Sequence, residues 1–399
     1  AFPNEELTAA RPSRQTALYS RLAAEGAVFG ANYGLEHALW FAPKGVSRRE
    51  TPSYRRSEAF EHVKAECLAV RKSVGLYEAS NYGKYEVVGA GARGWLDRLL
   101  ACKIPNIGRM AIAPMLNPRG KLAGDLSVAC LAEDRFMLIG SGFAEGYHMR
   151  WFMAQNPPEN VQVRPVASQL NGFSLAGPRA RDVLQKLVRV DLAHKSFKFF
   201  DIREMAVGMV PAIVSRSGFT GELGYEIWVT PDYICALYDD LREAGAEFDL
   251  KLFGGRALSS LRLEKNYGSF NKDFRPDYSP AEAGLDRFVD FSKPDFIGKA
   301  AVLKERETGP KKRFVTLKVD APHADVTGYE TIMFEGSVIG HVTSGGYGHC
   351  VGSSMAMGYV YTEYAVDSAQ FSIDILGQDC PAIVCAQALI DPQGLRLRA

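Results

Sequence analysis

An internal repeat limits the fold more than any other feature of this chain. Val87-Val88-Gly89 followed by Ala92, Trp95, Leu96, Leu99 and Leu100 is matched 88 positions later by Leu175-Ala176-Gly177 followed by Ala180, Val183, Leu184, Leu187 and Val188. Each copy reads as a strand turning through glycine into a helix with apolar residues at i, i+3, i+4, i+7 and i+8. A strand-helix unit used twice implies two related α+β lobes packed side by side. The first copy also contains Gly89-Ala90-Gly91-Ala92-Arg93-Gly94, formally a G-x-G-x-x-G. A dinucleotide site needs a second buried parallel strand and an acidic residue about twenty positions on. Lys103-Ile104-Pro105-Asn106-Ile107-Gly108 follows instead, broken by proline and glycine, and the second copy reads Gly177-Pro178-Arg179. The nicotinamide and flavin readings are set aside on that ground.

Around the repeat, Phe60, Val63, Cys67, Val70 and Val74 form a helical stripe that ends at Gly75, a suitable C′ residue. Residues 1–52 read as an irregular N-terminal extension with a short helical stretch, Thr16 to Glu25, and an aromatic-rich loop from Phe29 to Pro43. Thr230-Pro231 resembles a cap and first turn for a helix stopping at Gly245, and Gly254-Gly255 opens another. The polar run Leu303 to Arg313 reads as a linker. Beyond it, short alternating segments from Phe314 to Val384, separated by glycines, predict an all-β barrel or sandwich. The expected division is 1–52, then 53–308 with both lobes, then 309–399.

Forty-seven basic against forty-six acidic residues give a net charge of +1, which argues against nucleic acid or an anionic membrane as partner. A small molecule is the expected ligand. Seven cysteines, an odd number without C-x-x-C, fit reduced thiols, and seven scattered histidines form no metal pattern. No segment is apolar for the length of a membrane span and no signal peptide opens the chain, so a cytoplasmic location is expected, with the mitochondrial matrix as alternative. Residue 1 is alanine, which reads as a processed or constructed end.

Chemistry concentrates in Ser215-Arg216-Ser217-Gly218-Phe219-Thr220-Gly221-Glu222-Leu223-Gly224-Tyr225-Glu226-Ile227-Trp228, a strand, a tight loop and a strand. A carboxylate at the head of the second strand can accept two N–H donors from one edge of a flat heterocycle. Alone, the stretch reads more readily as a glycine-rich hairpin with glutamates facing water. Met115 to Val128 contains the turn Pro118-Arg119-Gly120 and places Asp125 at a strand entrance. Arg256, beside paired glycines at a helix start, can present its fork to a ligand or to a carboxylate such as Glu226.

Three groups of residues resemble the glycine-cleavage T-protein (aminomethyltransferase) superfamily: Gly218 to Glu226, Arg256 with Leu261-Arg262-Leu263-Glu264, and Pro280-Ala281-Glu282-Ala283-Gly284-Leu285. Phe29-Gly30 through Pro43, Glu66 to Arg71, Leu263-Glu264-Lys265 and Gly340 to His349 are similar to the C-terminal, folate-binding half of dimethylglycine and sarcosine dehydrogenases. The resemblance implies an α+β fold of two ferredoxin-like lobes plus a C-terminal β-barrel, a three-domain ring around an opening that holds tetrahydrofolate. By position it implies that Asp125 is the catalytic aspartate, that Glu226 holds the pterin, and that Arg256, Phe219, Asn117 and Tyr347 contact the ligand. Phe219 stands where the family has tyrosine, which keeps a stacking surface and loses a hydroxyl. The implied reaction moves a methyl-derived carbon from a methylated amine, or from formaldehyde or an iminium, to give 5,10-methylenetetrahydrofolate. The alternatives are transfer of an intact methyl from an N-, O- or S-methyl donor to give 5-methyltetrahydrofolate, and a non-catalytic folate-binding subunit. The flavin half of the dehydrogenases is absent from this sequence, so amine oxidation would fall to a flavoprotein partner.

Overall fold

The computed structural model describes residues 2–399. Both copies of the repeat fold as their spacing predicts: strand Gly83–Val88 leads into helix Ala92–Leu99, and strand Asn171–Ala176 into helix Ala180–Gln185. The two turns pass through Gly89 at φ 120° and Gly177 at φ 134°. A Cβ there would lie 1.9 Å from the Asn160 carbonyl oxygen and 2.3 Å from that of Ser73, so only glycine serves. Gly83–Val88 has antiparallel neighbours on both sides, which rules the glycine turn out as the start of a parallel nucleotide-binding unit.

The first lobe is a five-stranded sheet in the order Arg109–Leu116, Leu122–Ala132, Arg135–Gly140, Gly83–Val88, Gln162–Pro165. The second has six strands, Ile202–Val207, Val210–Ser215, Gly224–Val229, Asn171–Ala176, Gly75–Glu78 and Lys251–Leu252, of which only the last pair is parallel. Gly75–Glu78 precedes the first lobe in sequence and pairs in the second, so the lobes interleave along the chain. Gly75 is therefore a strand residue and not the helix C′ position. Helix Phe60–Lys72 is already closed at Ser73, and a Cβ on Gly75 would meet Val70 at 2.5 Å and Phe253 at 2.7 Å.

Strand alternation decides which faces meet. In Leu122–Ala132, Leu126, Val128 and Cys130 enter the first lobe's own core, whereas Ala129 joins Met110, Met137 and Ile139 in a different cluster. That cluster also takes Tyr77, Ile213 and Trp228 from the six-stranded sheet, while Tyr225, Ile227 and Val229 turn to the other side. The two sheets thus stack face to face. They are stitched at one edge by Met110 N–H to the Phe200 carbonyl (2.8 Å), Ile202 N–H to that of Gly108 (3.0 Å), and the Arg109–Asp201 ion pair.

The remaining chain departs from the sequence expectation in three places. Within residues 1–52, the aromatic segment is a β-hairpin, Ala27–Asn32 with Leu35–Phe41, joined by Tyr33 at φ 49° and Gly34 at φ 75°. Two left-handed residues make the tight turn that suits hairpin twist. Thr230 to Tyr233 form a turn, and the helix runs Ile234–Gly245. Helix Lys299–Thr308 occupies most of the supposed linker. The barrel is as predicted, six strands closed in the order Lys312–Val319, Ser353–Tyr361, Ser337–Gly348, Thr331–Phe334, Gln370–Ile375, Gln378–Cys385.

Candidate active site

Asp125 and Glu226 stand on the two surfaces that face each other. Asp125 is not at the strand entrance but in the strand, opposite Pro114, and alternation puts it with Ser127 and Ala129 on the inter-lobe face. Glu226 shares its face with Trp228 and lies between Ser215 and Ser174 of the neighbouring strands. Both carboxylates keep some accessible surface while protein surrounds them.

Their hydrogen bonding is sparse. Among the described residues the only donor to Glu226 is the Ser217 hydroxyl, at 2.8 Å from Oε2, and Ser217 is itself 2.8 Å from the Ser215 hydroxyl. Oε1 is left open. The Asp125 carboxylate receives no protein side chain. Burial pushes the Asp125 carboxyl up to about 8, with the Asp273 charge adding to the shift. Burial also raises Glu226, against Ser217 and the charge of Lys84, which lower it.

Aromatic rings flank the strand of Glu226. Tyr82 packs edge-on to Trp228 with centroids 6.3 Å apart, and the Trp228 indole N–H is buried without a partner. Phe219 stacks on Tyr267 at 5.8 Å in the loop leading to Glu226. The hairpin reading with both glutamates in water fails: Glu222 is buried between Arg71 (3.0 Å) and Arg396 (2.9 Å).

The other candidates have partners of their own. Arg256 is paired with Glu50 at 2.5 Å, not with Glu226, and Glu50 also accepts the Trp40 indole N–H at 2.6 Å. Arg256 and Tyr347 line a cavity of about 730 Å³ under the strap 48–57, where Arg56 lies 4.4 Å over the Tyr347 ring and holds Asp325. His349, beside Tyr347, packs on Phe60 in the same wall. Asn117 Oδ1 caps its own turn, accepting from Arg119 N–H (2.9 Å) and Lys121 N–H (3.2 Å). The structure therefore places Asp125 and Glu226 on facing sheet surfaces and groups Arg256 with Tyr347 in the cavity under the strap.

Lys84 is the residue that sequence reasoning missed. It is wholly buried, donates to the carbonyls of Ser80 and Tyr82 at 3.0 Å each, and lies 4.9 Å over the Trp228 ring. In Gly83-Lys84-Tyr85-Glu86-Val87 the alternation of charged and apolar residues reads as a strand with one wet face. Only the stacking of the second sheet makes that face interior.

Two stacked α+β sheets with unpaired acids on their facing surfaces, and a closed barrel appended, define an aminomethyltransferase-like enzyme. The comparisons agree. Residues 18–293 match the GCVT N-terminal domain and 312–391 the glycine cleavage T-protein C-terminal barrel domain, and the chain belongs to this family. It is 34% identical to human mitochondrial dimethylglycine dehydrogenase over 401 residues, covering 100% of this chain and 46% of that one. It is 32% identical to the aminomethyltransferase of Desulforamulus reducens, covering 77% of this chain and 84% of that one. It is also 32% identical to the formaldehyde-forming 4-methylaminobutanoate oxidase of Paenarthrobacter nicotinovorans, with 100% and 48% coverage. The chain spans about half the length of the dehydrogenase and oxidase relatives. Aminomethyltransferase T of the Bartonella henselae glycine cleavage system superposes with a TM-score of 0.82 at 26% identity, over 95% of this chain and 98% of that one.

Proposed function

We propose that the chain is a tetrahydrofolate-dependent one-carbon transferase, taking a methyl-derived carbon from a methylated amine, as an iminium or as formaldehyde, to give 5,10-methylenetetrahydrofolate. The observation that carries this reading is the pair of incompletely satisfied carboxylates on facing sheets, since buried acids in a merely structural role are hydrogen-bonded. When bound, tetrahydrofolate supplies the two nitrogens that hold the carbon. The donor set fits a reduced pterin: an open carboxylate oxygen on Glu226, an unpartnered indole N–H on Trp228, and aromatic walls.

Each residue then has a distinct task. Glu226, its Oε2 fixed by Ser217, accepts the paired N–H donors of a flat ring edge with its free oxygen, and an ionised acceptor roughly doubles the strength of such bonds. Asp125, on the opposing sheet, stabilises positive charge that develops in the cleft and receives its proton. Placed charge of this kind is worth on the order of 3 kcal/mol in a water-poor site. With its carboxyl raised to about 8, Asp125 in its ionised form is a stronger proton acceptor than an ordinary carboxylate, and the ionised fraction grows as pH rises toward that value. Phe219 offers a stacking face.

The names of the relatives support an N-methylated amino acid as donor and favour the methylene over the methyl product. Oxidation of such a donor calls for a flavoprotein segment or partner as hydride acceptor. The test is product analysis with a methylated amino acid, the matching flavoprotein and tetrahydrofolate. Methylenetetrahydrofolate formed by the wild type and lost in Asp125→Asn, with folate binding retained, is the expected result. Formation of 5-methyltetrahydrofolate would overturn the reaction assigned, and undiminished turnover in Asp125→Asn would remove that residue from its role.

A further inference from the structure

Lys84 is a lysine with no accessible surface and, among the described residues, no carboxylate within ion-pair distance. Lysine is almost never buried in this way unless paired, because an ammonium removed from water loses most of its solvation. Two of its protons go to the Ser80 and Tyr82 carbonyls, and the charge rests 4.9 Å from the Trp228 ring. Trp228 is two residues beyond Glu226 on the same strand and the same face. The ionisable groups around Lys84 are Glu78 at the end of strand Gly75–Glu78 of the second sheet, Glu145 at the start of helix Glu145–Ala154, Glu226 on the facing sheet, and Tyr82 on the turn before its own strand. Of the three carboxylates, Glu226 belongs to the site. An aliphatic side chain between Ile139 and Trp228 would pack as well as the lysine stem, so packing alone gives no reason for a charge here.

We propose that Lys84 is a positioning residue for Glu226: its buried charge holds that carboxylate ionised, with its open oxygen ready for the N–H edge of a reduced pterin. The inference rests on the folate reading above. Burial lowers Lys84 to about 7, and the charges of Glu145, Glu78 and Glu226 oppose that shift. The counter-charge is therefore present below neutrality and lost above it.

The experiment is calorimetric titration of tetrahydrofolate into the full chain as wild type, Lys84→Arg and Lys84→Met between about pH 6 and 9.5, with thermal melts establishing that each is folded. Wild-type affinity should fall on the alkaline side as the lysine loses its proton. Lys84→Arg, permanently charged, should keep its affinity there. Lys84→Met should bind roughly tenfold more weakly at about pH 6 and meet the wild-type profile on the alkaline side, where neither side chain is charged. Asp125 titrates in all three alike, so the differences between profiles report Lys84. If Lys84→Met does not fold, the alkaline limb of Lys84→Arg carries the test. Profiles of one shape in all folded variants would overturn the role of Lys84 and leave the folate reading standing. A wild type that binds no tetrahydrofolate at any pH would overturn the folate reading itself, and this inference with it.

Discussion

Asp273 and Asp125 are two enclosed aspartates with opposite surroundings. Asp273, at the seam between lobes and barrel, accepts from Thr343 (2.5 Å) and Ser344 (2.6 Å) on one oxygen and from Arg262 and the Ser269 N–H, both at 2.9 Å, on the other. Asp125 has no side-chain donor at all among the described residues. The same contrast separates Arg71, which ties Glu222 and Glu264 together across the loop and helix, from Lys84, which has no such partner. At the seam to the barrel, both oxygens of Asp273 are satisfied. Along the facing sheets Asp125 and Glu226 are incompletely satisfied, and the proposed ligand surface rests on that incompleteness.

The largest effect should come from the joining side. Asp273→Ala strands Arg262 in a buried seam and should cost roughly 3–5 kcal/mol, measured by urea denaturation. Asp125→Asn should cost no stability under the same conditions. A loss in Asp125→Asn as large as that in Asp273→Ala would erase the distinction.

The next effect sharpens the contrast through pH. The folded carboxyl of Asp125 titrates at about 8, whereas an unfolded aspartate titrates near about 3.9. Between those values the unfolded chain has released the proton and the folded chain still holds it. The wild type should therefore lose stability relative to Asp125→Asn as pH rises through that window, with no difference below it. Urea denaturation at about pH 4 and pH 8 measures both ends. A constant offset at both would show that Asp125 is not held in a desolvated cleft.

The smallest effect concerns the cavity under the strap. Arg256 is paired with Glu50 and lines the cavity under the strap, so Arg256→Ala should lower stability by about 1–2 kcal/mol. It should also leave tetrahydrofolate affinity within about threefold. A hundredfold loss of affinity would place Arg256 back in the binding site and join the two regions into one.

Much of this was readable before any coordinates. The repeat gave both strand-helix units because its apolar spacing is a local property, and the glycines mark turns whose clashes are local too. The barrel followed for the same reason. What local pattern could not show is how surfaces meet. Gly75 looked like a helix stop because nothing in its neighbours reveals that Gly75–Glu78 crosses into the second sheet. The Tyr33-Gly34 turn was overlooked because a tyrosine at positive φ is an uncommon signal. Asp125 and Glu226 were picked out by motif, but the partner of Arg256, a glutamate 206 positions away, was beyond any spacing argument. Lys84 stayed hidden because a polar face is exposed or interior only once a second sheet is laid against it.

The central claim is that Glu226 binds the pterin through an oxygen the protein leaves free. Calorimetric titration of tetrahydrofolate into the wild type and Glu226→Gln at neutral pH tests it most directly. Removing one charged acceptor should weaken binding by about ten- to a hundredfold while the variant melts like the wild type. Equal affinity in the two proteins would contradict the account.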